Sequence, residues 1–161
     1  MKFELSPQSV SGKLVNRGLK EKILATNERA AEYGLKLSDD DAAMLVQAGR
    51  ESLREQDRVE FGRSATTVLI EKFMQSSYVT QSEYAVTVAA LLDVFYEVKE
   101  ESLDILSDEE VIDIMFDFFE RESGGSVELL QGRDMDVLCR KIRREAMGIE
   151  EYGKDEADDD E

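Results

Sequence analysis

Between Thr80 and Lys99 the chain reads T-Q-S-E-Y-A-V-T-V-A-A-L-L-D-V-F-Y-E-V-K. Wound at 100° per residue, Tyr84, Val88, Leu91, Leu92, Val94, Phe95, Tyr96 and Val98, with Ala85 and Ala89, cover an apolar arc of roughly 220°. A surface helix needs about half of that, so this segment predicts a core helix over about 81–99 with neighbours on several sides. Thr80 and Glu83 have the spacing of a capping box that would open it. A second broad arc runs through Val111, Ile112, Ile114, Met115, Phe116, Phe118 and Phe119, with Asp113, Asp117 and Glu120 on its wet face, and follows the box Ser107-Asp108-Glu109-Glu110.

Narrower stripes complete the pattern. Ser38 and three aspartates start a helix with Ala42, Leu45, Val46, Gly49 and Leu53 on one side. Ser64 to Gln75 turns Leu69, Ile70, Phe73 and Met74 inward, and Met135, Leu138, Cys139, Ile142 and Ala146 form a last seam. Nearer the start, Ser6-Pro7 is a helix opening, but Gly12 and Gly18 each cost about 1 kcal/mol, which predicts a weak or broken helix to Thr26. Asn27 to Tyr33 continues as helix and stops at Gly34. Arg58 to Gly62 breaks the helical period and is expected to be extended. Val127 to Gln131 has the form of a short strand or a single turn; as a strand, Val127-Glu128-Leu129 would pair with Val59-Glu60-Phe61, one tiny two-stranded pairing within an all-α, single-domain bundle of six to seven helices around the central apolar helix. The helical domain is expected over residues 1–148, with 149–161 as an acidic disordered tail.

Composition narrows the chemistry. The 161 residues carry a formal net charge of −17 and no histidine. Without histidine, Ser-His-Asp and Cys-His catalysis and histidine-bearing zinc and di-iron sites are ruled out. So acidic a surface repels phosphate backbones, so nucleic acid is not an expected partner. The longest apolar run, Tyr84 to Tyr96, is interrupted by Asp93 and too short to span a bilayer, so no membrane association is expected. Lone Cys139 forms no intramolecular disulfide, which together with the lack of an N-terminal signal leads to an expected cytoplasmic location.

Three chemical candidates remain. Residues 120–131 have the outline of an EF-hand with Glu120, Glu122 and Gly124 at loop positions one, three and five and Gly125 at six, but Gln131 stands where a bidentate glutamate belongs. Glu97-x-x-Glu100, Glu101-x-x-Asp104 and Glu110-x-x-Asp113 have the spacing by which all-α nucleotide pyrophosphohydrolases hold Mg²⁺, although such pairs arise by chance in so acidic a chain. The third is a small polar site of Arg58, Glu60, Tyr96, Lys99 and Glu101, where Lys99 falls inside an apolar arc beside Phe95 and would pair with Glu101 or another acid. None of the three names a catalytic residue, a metal ligand or a cofactor firmly. The residues therefore favour a non-enzymatic interaction domain, with a protein partner or self-association, over an enzyme.

The runs A-E-Y-G-L-K-L-S (31–38), R-V-E-F-G (58–62), S-Y-V-T-Q-S-E-Y-A (77–85), F-Y-E-V-K-E-E (95–101) and G-G-S-V-E-L-L (124–130) carry a resemblance. Together they resemble an uncharacterised bacterial family of small acidic proteins, a domain of unknown function, over roughly Thr26 to Ile142. The resemblance implies a cytoplasmic bacterial protein, and no activity, cofactor or site.

Overall fold

The computed structural model describes residues 17–60, 63–102 and 105–148. Its helices are α1 (17–25), α2 (Asn27–Ala30), α3 (Asp39–Glu55), α4 (Ala65–Phe73), α5 (Tyr84–Glu101), α6 (Asp108–Arg121), α7 (Val127–Gln131) and α8 (Met135–Met147), with 3-10 turns at Ala31–Tyr33 and Gln81–Glu83. The fold is an all-α bundle. The opening helix at Ser6-Pro7 and the acidic tail fall outside the described residues.

α5 is the axis of the bundle. Tyr84, Val88, Leu91, Leu92, Val94, Phe95, Tyr96, Val98 and Lys99 are all buried, and α3, α4, α6, α7 and α8 all pack against it. The chain comes close where side chains are small: Gly49 of α3 lies beside Leu92 of α5 and Thr66 of α4. On the far side, Phe73 of α4 meets Phe116 and Phe119 of α6 edge-to-face at 5.2 and 5.4 Å. Edge-to-face pairs of this kind add about 0.5–1.5 kcal/mol each to the burial of the rings.

Local chemistry sets most helix starts. Ser38 with Asp41 and Ser107 with Glu110 form reciprocal capping boxes, while Ser64 and Ser126 cap α4 and α7. Thr80 does not form the expected box with Glu83. The 3-10 turn Gln81–Glu83 intervenes, and α5 starts only at Tyr84. Gln81 is held elsewhere: its side-chain amide donates to the Lys36 carbonyl and accepts from the Lys36 N–H. Asn27 brackets Leu37 in the same way, at 2.9 and 2.8 Å. Two amide side chains thus satisfy the backbone N–H and carbonyl of both Lys36 and Leu37.

The expected two-stranded pairing does not form. Val127–Gln131 is a helical turn capped by Ser126, and no strand occurs among the described residues. The Leu129 and Leu130 N–H groups are bonded to the Ser126 hydroxyl and carbonyl, which closes the segment as a helical turn.

Two glycines with opposite demands test this packing. Gly125 has φ +81°, and a Cβ there would fall inside the Tyr78 ring; Gly18 lies in α1 with open space around it. Gly125→Ala should destabilise the fold by about 1–3 kcal/mol, and Gly18→Ala should stabilise it by up to about 1 kcal/mol. Urea denaturation of both variants checks the opposite signs.

Candidate functional site

The connector after α3 is tied down by side chains. Asp57 takes the left-handed conformation at φ 55°, which closes α3 by letting the Arg58 N–H reach the Leu53 carbonyl at 2.8 Å. Gln56 then welds this end to α5: its amide donates to the Tyr96 carbonyl at 2.8 Å and to Glu100 at 3.3 Å, and its oxygen accepts from Arg58 Nε at 2.6 Å. Glu60 crosses to two other elements. Its Oε2 accepts from the Tyr96 hydroxyl at 2.7 Å and from the Ala65 N–H at 3.1 Å, at the start of α4.

Lys99 is 8% exposed despite its charge. Its ammonium bonds Asp108 at 2.9 Å and the Leu106 carbonyl at 3.3 Å, and stands 6.0 Å from the centre of the Phe95 ring. A charge this deep is tolerable only with such partners, because stripping one away leaves it uncompensated.

Four of the five residues expected to form a polar site therefore do come together. Arg58, Glu60, Tyr96 and Lys99, with Leu53, Val59, Phe95 and Asp108, line a cleft of about 350 Å³. Glu101 does not join them. It is exposed and pairs with Arg143 of α8 at 2.7 Å, on the side of α5 that faces α8. Asp108 takes the place expected for Glu101, because the turn into α6 brings its first residue over Lys99. The groups of this cleft satisfy one another, and its chemistry is that of a clasp joining α3, α4, α5 and α6.

The larger concavity lies beside it, between α3 and α5. Glu51, Glu55, Asp93, Glu97 and Glu100 line a groove of about 650 Å³, with Ala48, Ser52, Gln56 and Tyr96 between them. On α5, the exposed residues Val86, Asp93, Glu97, Glu100 and Glu101 fall within a single arc of about 100°. Glu51 accepts from Gln47 and Glu100 from Gln56, but none of the five carboxylates is ion-paired among the described residues. The cost is visible at Asp93, whose carboxyl is pushed above its ordinary value first by burial and then by the charge of Glu55.

The metal readings gain no site. Glu97 and Glu100 do face acids of α3, yet among the described residues no three acidic or cysteine side chains gather closely enough to hold a metal ion. Glu110 is spent in its capping box, Asp113 pairs with Lys72, and Asp104 lies outside the described residues. In the EF-hand-like segment Glu120 accepts from Ser76 and Gln131 donates to the Ala90 carbonyl, so two intended ligands point away from any common centre. Gly124 and Gly125, both left-handed, simply stop α6.

Cys139 is buried, and burial raises its thiol to about 11, which leaves it protonated and unreactive at neutral pH. The sequence did not single out Asp134, a buried carboxylate held by Ser123 at 2.9 Å and by Arg133 at 2.7 Å, and it has a structural role. The Arg133 guanidinium holds this carboxyl below its ordinary range.

A family of unknown function (DUF6323) matches residues 22–148. The chain belongs to that family. No curated protein and no solved structure matches it. Among the described residues no helix is long and apolar enough to cross a membrane.

Two tyrosines on α5 offer a direct test of the geometry. The Tyr84 hydroxyl is buried without a hydrogen-bond partner, whereas that of Tyr96 is bonded to a carboxylate. Tyr84→Phe should be neutral or stabilising, and Tyr96→Phe should cost about 1.5–3 kcal/mol. Burial raises the Tyr84 phenol from 10.0 to about 12, and burial with the neighbouring Glu60 raises Tyr96 further. Each favours the protonated form when folded. Their contribution is therefore intact below about pH 10 and is lost as the pH climbs from there towards and past 12. Denaturant titrations across alkaline pH should show this loss, with a smaller fall in Tyr84→Phe.

Proposed function

We propose that this domain is a binding module rather than a catalyst, and that the α3–α5 groove receives a positively charged segment of a protein partner. The observation that carries the reading is the set of five carboxylates lining one groove without an ion pair among the described residues. Like charges on neighbouring helices cost folding free energy, and a bound Lys- or Arg-rich segment turns that cost into attraction. Gln56 and the Tyr96–Glu60 bond hold the floor rigid, so the groove needs little rearrangement to bind. A cation in the groove favours the charged form of Asp93. Binding should therefore tighten as the pH rises through the acid range.

The test is titration calorimetry of the full chain with a synthetic lysine- and arginine-rich peptide. Binding should weaken as salt is added, and Glu55→Gln with Glu97→Gln should lower the affinity roughly tenfold. The matched control neutralises Glu28 and Glu32, two exposed acids outside the groove. Equal weakening in the control would mean attraction to net charge alone and would remove the groove reading.

A further inference from the structure

The outer face of α8 has the opposite character. Arg140, Lys141 and Arg144 are exposed, and none of them is ion-paired among the described residues; Arg143 alone is turned aside to Glu101. At 100° per residue, these three cations share an arc of about 120° with Val137 and Met147. Those two apolar side chains are 45% and 58% exposed. Asp136 borders the arc on one side and Glu145 on the other. In a chain of net charge −17, a helix face of three uncompensated cations interleaved with exposed apolar groups is an exception to the surface around it.

What lies within reach of it is also charged. Residues 149–161 follow α8 directly and hold Glu150, Glu151, Asp155, Glu156, Asp158, Asp159, Asp160 and Glu161 against Lys154. Gly148 at the end of α8 is left-handed at φ 72°, with its N–H bonded back to the helix carbonyls, a cap that turns the chain away from the helix direction. Thirteen extended residues reach up to about 43 Å, about twice the 20 Å rise of a helix the length of α8. Tethering at Gly148 raises the local concentration of the tail at this face to the millimolar range, enough for pairings that are individually weak.

We infer that the acidic segment 149–161 docks on the Val137–Arg140–Lys141–Arg144–Met147 face of α8. It acts there as an intramolecular occupant that shields this face from other anionic partners. The α3–α5 groove, itself acidic, repels the same segment and stays open. The contact is electrostatic and exchanges rapidly, so it is strong at low ionic strength and is lost with salt.

A spin label placed at Ala157→Cys reads this contact without removing any tail charge. Buried Cys139, with its thiol raised to about 11, stays unlabelled. In the full-length chain at low salt, the amides of 137–141, at the end of α8 far from Gly148, should lose intensity. The loss should reverse in about 0.5 M sodium chloride, where the Debye length is roughly 4 Å, and should be much reduced in Arg140→Gln with Lys141→Gln. Three results would each overturn the inference: no broadening at 137–141, broadening there that salt and the charge variants leave untouched, or stronger broadening around Lys20 and Lys22.

Discussion

Burial of α5 on every side but one governs where the other helices lie. Each of its large apolar side chains contributes about 1.5–3 kcal/mol when fully removed from water, and nine of its residues, including a lysine, are buried. A helix with that much apolar surface has to be surrounded, so α3, α4, α6, α7 and α8 are distributed around it. Its remaining wet stripe then lies along the seam with α3. The acidic groove is the consequence: Asp93, Glu97 and Glu100 are acids that α5 leaves in water along this seam, and α3 sets Glu51 and Glu55 opposite them.

The polar clasp at the C-terminal end of α5 solves a related problem. Connectors into α4 and α6 both meet the axis there, and each is fixed by one carboxylate, Glu60 on Tyr96 and Asp108 on Lys99. Mutual satisfaction within the clasp stabilises those junctions and leaves little for a ligand. The groove next to it has the reverse property, with charge that nothing in the described fold neutralises. Satisfied and unneutralised charge thus occupy different faces of the same stretch of α5, with Tyr96 lining both clefts.

Much of the architecture was legible because it rests on chemistry within a few residues. The boxes at Ser38 and Ser107, the stop at Gly34 and the broad arc of α5 are local patterns, and each appears where its spacing puts it. Thr80 misleads because a tertiary contact, Gln81 to Lys36, overrides a local one. Val127–Gln131 misleads because five residues carry no period that separates a strand from a turn. For the site, a lysine inside an apolar arc identified Lys99 and its surroundings, but not which acid would meet it. Glu101 is nearer in sequence, yet it lies on another side of α5, and only the path of the turn into α6 selects Asp108. The groove was invisible for the same reason: Glu51 and Glu55 join Asp93 and Glu97 only through the register of α3 on α5, set at Gly49.

Native-state hydrogen exchange resolved by residue tests the governing role of α5 most directly. If the bundle is held by its axis, amides from Val88 to Val98 exchange only through global unfolding, with opening free energies equal to the stability from denaturant titration. The account is contradicted if those amides open at lower free energy while α4 and α6 stay protected, because the Phe73–Phe116–Phe119 cluster would then be the core on which the rest depends.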